Sequence, residues 1–104
     1  MDVLPTRSTY TIRTAAFEGP FGLLIDLIEK RKLLVNDLSL SQVTDDFIQH
    51  VRGQAEFPIE DAADFIQVAA TLLLIKSKSL IPDLELTDEE TEDVEDLKRR
   101  LLAY

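Results

Sequence analysis

The sequence predicts an all-α fold: a small helical bundle of three to four helices with a short extended N-terminal arm. Three observations carry this expectation. Apolar residues recur at three- and four-residue spacing in four successive windows. Proline, glycine and capping residues fall between those windows. Only Tyr10, Ile12 and Thr14 alternate with polar neighbours as a strand would. At 104 residues and 45% hydrophobic content, the chain is one domain with enough apolar surface for a core.

Residues 1–19 read as the extended arm, and Gly19-Pro20 stops it. Pro20 suits the first turn of a helix, where its missing N–H costs nothing. From Phe21 to Lys32, Phe21, Leu24, Ile25 and Ile28 keep helical spacing, and Leu23 and Leu27 widen the face. Lys30, Arg31 and Lys32 end that segment, where cations favour the helix dipole. Ser39 followed by Gln42 matches a capping box and predicts the start of a second helix. Asp45 and Asp46 lie toward its positive end, and Val43, Phe47 and Val51 form its apolar stripe. Gly53 suits a left-handed C-terminal cap.

The third helix, Ile59 to Ile81, is bounded by Pro58 and Pro82. At ~100° per residue it carries two apolar stripes. Phe65, Val68, Leu72 and Ile75 make one; Ile59, Ala62, Ile66, Ala70, Leu73 and Leu80 make another, roughly 120° away. Glu60, Asp64, Gln67, Thr71 and Lys78 share the polar edge. A surface helix usually shows an apolar stripe little wider than ~100°. Two stripes therefore predict one face for this chain and one for a partner. The bulkier stripe is expected inside, against Leu24, Ile28, Phe47 and Val51. Ile66, Ala69, Ala70, Leu73 and Ser77 are expected to face the partner, since small residues allow close approach.

Thr87 and Glu90 form a capping box that opens a fourth helix, with Val94, Leu97, Leu101 and Tyr104 on one face. Its acids come first and Lys98, Arg99 and Arg100 last, as the dipole prefers. Charge is uneven. The chain carries −9, of which residues 83–104 hold −6, and no base occurs from Asp83 to Asp96. Such a stretch should repel itself and stay solvated, with the fourth helix marginal until a partner orders it.

Composition excludes several functions. Phosphate contacts need clustered Lys and Arg, so direct DNA binding is not expected. Without cysteine there are no disulfides, thiolate metal sites or thiol nucleophiles, which suits a reducing cytosol. No signal core opens the chain, and the apolar run Val68 to Ile75 is far short of the ~20 residues that span a bilayer. His50 is the only histidine, and three glycines cannot build a phosphate loop or a dinucleotide fingerprint. The acids from Asp88 to Asp93 lack calcium-loop spacing and read as a solvated helix start. Lys76, between the stripes, reads as a snorkelling stem rather than a catalytic amine. No catalytic residue, cofactor or metal ligand is expected.

Two separated motifs resemble a known family. Phe17-Glu18-Gly19-Pro20-Phe21 with Leu23-Leu24-Ile25-Asp26-Leu27-Ile28-Glu29-Lys30 is similar to the opening signature of segregation and condensation protein A, the bacterial kleisin. Ala69-Ala70-Thr71-Leu72-Leu73, then Ile75-Lys76-Ser77-Lys78 and Leu80-Ile81-Pro82, resembles its second signature. Gly22 and Leu74 depart from it, standing where the family commonly has aspartate and a polar residue. The resemblance implies a non-catalytic subunit that binds the coiled-coil neck of a structural maintenance of chromosomes (SMC) ATPase and helps close its ring around DNA. It implies residues 20–82 as the neck-binding domain, through Ile66, Ala69, Ala70, Leu73 and Ser77. Residues 83–104 would be an acidic linker and the start of a central region. There Val94, Leu97, Leu101 and Tyr104 would meet a dimer of segregation and condensation protein B. The implied location is the cytoplasm, on the nucleoid through SMC. Two other readings fit the helices: a self-associating adaptor, and a helix-turn-helix DNA reader that the acidity opposes.

Overall fold

The computed structural model describes residues 19–53 and 59–104 as four helices in a bundle. They are α1 (Gly19–Lys30), α2 (Asp37–Gly53), α3 (Ile59–Leu80) and α4 (Asp88–Ala103). The expected arm before Gly19, with its strand-like Tyr10, Ile12 and Thr14, lies outside the described residues, as does Pro58.

Helix α1 starts and stops two residues before the expected Phe21–Lys32 span. Gly19 takes φ +76°, a left-handed value that strains any residue with a Cβ, and Pro20 then continues the helix. At the other end Lys32 adopts φ 57°. The Leu33 N–H donates to the Ile28 carbonyl and the Lys32 N–H to that of Glu29, both at 3.0 Å. This is a Schellman ending with lysine where glycine is usual. Half-buried Leu33 packs on the core and holds the turn in place.

The start of α2 corrects the Ser39–Gln42 capping box. Asn36 is the cap: its Oδ1 accepts from the Ser39 N–H at 2.8 Å, and its carbonyl from the Leu40 N–H at 3.0 Å. A side-chain acceptor three residues ahead of that N–H satisfies a donor that Ser39 could not. Ser39 is instead buried. Gly53 closes α2 without a left-handed φ, so the expected glycine cap is absent as well.

The α2–α3 contact is the largest in the bundle. Phe47 and Phe65 stack with ring centroids 6.1 Å apart, and Leu40, Val43, Leu72, Val68 and Ile75 fill the core around them. Thr44 is fully buried there, its hydroxyl 2.7 Å from the Leu40 carbonyl and 3.4 Å from that of Leu72. Leu23, Leu24, Leu27 and Ile28 close the core from α1, with Phe21, Ile25 and Val51 half-buried at its edge. Leu74, one of the two departures from the family pattern, packs half-buried on this core.

Helix α4 corrects a further expectation. Its stripe of Val94, Leu97 and Leu101 is buried in the same core rather than left for a partner, and among those four residues only Tyr104 is exposed. The Thr87–Glu90 capping box forms as expected, with reciprocal bonds of 3.0 and 2.9 Å. Self-repulsion among exposed acids costs tenths of a kcal/mol per pair, whereas each large apolar side chain buried stabilises by roughly 1.5–3 kcal/mol. Burial wins. The acids face outward, where Lys98 meets Glu95 at 3.1 Å and Arg100 meets Asp96 at 3.2 Å. Lys98 also reaches Asp37 on α2 at 3.0 Å, and Arg100 lies 5.6 Å from the centre of the Phe21 ring on α1.

Candidate partner-binding surface

Neighbouring leucines on α3 show how the helix is divided. Leu72 is 0% exposed and Leu73 is 47% exposed. Phe65, Val68, Leu72 and Ile75 lie in the core as their stripe predicts. On the opposite side Ile66 is 63% exposed, Ala70 and Leu73 are open, and Ala69 and Ser77 are half-buried. Exposed Leu80, the last helical residue, and Ile81 just beyond it extend the open side. Burial thus separates Phe65, Val68, Leu72 and Ile75 from exposed Ile66, Ala70 and Leu73.

The open side has a definite repeat. Ile66, Ala70, Leu73, Ser77 and Leu80 follow one another at steps of four, three, four and three residues. Large side chains stand seven residues apart at Ile66, Leu73 and Leu80, with small ones at Ala70 and Ser77 between them. That is the seam one strand of a coiled coil presents, and at 1.5 Å per residue it runs about 21 Å. Small residues between large ones leave room for knobs from a facing helix. Gln67, Leu74 and Ala69 border the seam and carry no charge.

Its one charged neighbour is already engaged. Lys76 donates to both carboxylate oxygens of Asp45 at 2.8 Å, clamping α3 to α2. This does more than the snorkelling expected of it. Arg31 pairs with Asp46 alongside, joining the α1 turn to α2. Lys78 turns back at the helix end, donating to the carbonyls of Pro82, at 2.9 Å, and Leu84. These three roles were not foreseen, although the Ile75-Lys76-Ser77-Lys78 motif marks two of the lysines.

The hydrogen bond from Lys98 to Asp37 holds its ammonium above the usual lysine value, against the opposing effect of partial burial. His50 is exposed, with Nδ1 2.9 Å from the Asp46 carbonyl. Among the described residues no group of three or more acidic or histidine side chains could hold a metal ion. No described helix is long and apolar enough to cross a membrane.

Comparison with known proteins decides the relationship. The family model described as segregation and condensation protein ScpA matches residues 27–103. The chain belongs to the segregation and condensation protein A family. It is 37% identical over 99 residues to the segregation and condensation protein A of Caldanaerobacter subterraneus, covering 91% of this chain and 40% of that protein. The protein of the same name from Clostridium acetobutylicum is 38% identical over 99 residues, covering 92% and 40%. That from Clostridium perfringens is 36% identical over 91 residues, covering 88% and 36%. The chain therefore spans about two fifths of the length of these relatives. No solved structure matches it significantly.

Proposed function

We propose that this chain is the part of a kleisin that holds the coiled-coil neck of an SMC ATPase, helping to close the SMC ring in chromosome condensation and segregation. The observation that carries the reading is the open heptad seam of α3, Ile66, Ala70, Leu73, Ser77 and Leu80, with Ala69 on its flank. A neck helix offering apolar residues at the same spacing would complete a bundle with α3. Family membership and the seam support the reading independently, one from sequence and one from packing.

The function is mechanical. In this reading the chain supplies shape and apolar contact, while ATP hydrolysis and DNA contact belong to the SMC partner. A net charge of −9 opposes any phosphate contact of its own. The protein would act in the cytoplasm, on the nucleoid through SMC. A dimer of segregation and condensation protein B is the second partner in this reading. With Val94, Leu97 and Leu101 built into the core, exposed Leu102 near the end of α4 and Tyr104 at its C-cap are what this region offers it.

Mixing the chain with an SMC head carrying its neck, and following the complex by size exclusion with light scattering, tests the reading. A one-to-one complex supports it. A dimer of the chain alone, with no complex, would favour the self-associating adaptor instead.

A further inference from the structure

We propose that, while no neck is bound, the open seam of α3 is covered by the α3 of a second copy of this chain, running antiparallel. The pairing takes the same residues as the proposed neck contact, so it rests on that reading for its consequence, a competition between second copy and neck. One step before Ile66, Ala63 is also exposed, and it precedes Ile66 by three residues as Ala70 precedes Leu73. Small side chains therefore recur at Ala63, Ala70 and Ser77, and large ones at Ile66, Leu73 and Leu80, each set seven residues apart. All are exposed except Ser77, which is half-buried.

Two copies of such a seam fit in one direction. In an antiparallel pair centred between residues 70 and 73, Ala70 lies opposite the partner's Leu73, Ile66 opposite the partner's Ser77, and Leu80 opposite the partner's Ala63. Two-fold symmetry makes each contact twice. Every large side chain then has a small one across from it, over about 26 Å of helix. A parallel pair would set Leu73 on Leu73 and Ala70 on Ala70, alternating crowding with gaps. Charge permits the antiparallel contact. Most of the net charge, −6 of −9, lies in residues 83–104 rather than on α3. Along the seam and its borders only Lys76 is charged, and Asp45 balances it at 2.8 Å. In this register Lys76 lies nearest the partner's Ala69, so no like charges meet along the seam. A contact this short is weak, and pairing is favoured only at high chain concentration. A neck helix taking the same residues displaces the second copy.

The chain has no cysteine, so Ile66→Cys and Ser77→Cys each place a single thiol. Mixed at high concentration and oxidised, the two variants should give the mixed disulfide as the main product. Self-linked products should be minor, because like thiols lie about 16 Å apart along the antiparallel pair. Light scattering of the parent should show mass rising toward that of a dimer with concentration. Ala70→Leu fills the space that receives the partner's Leu73 and should weaken the dimer at least about tenfold. Ala70 is exposed, so this variant should melt like the parent. Self-linked products in excess, a parent that stays monomeric throughout, or a tighter Ala70→Leu dimer would each overturn the proposal. Adding an SMC head–neck fragment should suppress the mixed disulfide. A fragment that binds while the disulfide persists would remove the neck from this seam and leave the dimer standing. A fragment that binds a chain giving no mixed disulfide would do the reverse.

Discussion

Helices α3 and α4 use apolar residues in opposite ways. Helix α4 is strongly charged and carries one narrow stripe, Val94, Leu97 and Leu101, all of it buried by the bundle. Helix α3 carries more apolar surface than the bundle covers, and Ile66, Leu73 and Leu80 remain open. A narrow stripe on an acidic helix completes the chain's own core; the second stripe of a broadly apolar helix is left over. What leaves a face open on α3 is apolar width beyond what intrachain neighbours cover, not amphipathicity or acidity.

The largest effect should come from the core side of α3. Phe65→Ala removes a buried ring stacked on Phe47 and should destabilise by about 4 kcal/mol in urea unfolding. Little change would mean that the Phe65 stripe is not the core side. Leu97→Ala tests α4 and should cost about 3 kcal/mol, with faster amide exchange along residues 94–101. If parent amides there already exchanged as fast as a free peptide, α4 would be the solvated segment its acids suggested.

Smaller effects sharpen the account of the helix ends. Lys32→Gly should stabilise by about 0.5 kcal/mol, because glycine takes φ 57° without a Cβ clash but loses more chain entropy on folding. A melting temperature that fell would show that the Lys32 turn is not left-handed in solution. The smallest expected effect is at high pH. Lys98 is raised by its bond to Asp37, so its contribution is present below the ordinary lysine value of 10.5 and lost as pH rises through the folded value. Stability should fall in that range, and Lys98→Met should flatten the fall.

Much of this was legible in the sequence, for reasons tied to period. The four helices and the two α3 stripes follow from 100° steps, which place Leu72 inside and Leu73 outside without any tertiary knowledge. The Thr87–Glu90 box is legible because both partners are local. What covers the α4 stripe is not local, and its acids pointed away from the core that received it. Asn36 was missed because Ser39 and Gln42 offered a competing cap three residues later. The Lys32 turn carries no glycine to mark it. Buried Thr44 was hidden for a related reason: its hydroxyl is satisfied by the Leu40 carbonyl of its own helix. For the proposed partner surface, the sequence named Ile66, Ala69, Ala70, Leu73 and Ser77; packing leaves Ile66, Ala70 and Leu73 exposed and half-covers Ala69 and Ser77.

The central claim is that two adjacent leucines serve different masters, and one paired measurement tests it. Leu72→Ala and Leu73→Ala would each be melted, then titrated against an SMC head–neck fragment. Leu72→Ala should lose about 3 kcal/mol of stability, as a buried leucine does. Leu73→Ala should melt within about 0.5 kcal/mol of the parent yet bind the neck at least about tenfold more weakly. A Leu73→Ala chain that binds the neck as tightly as the parent would contradict the assignment of the open α3 face.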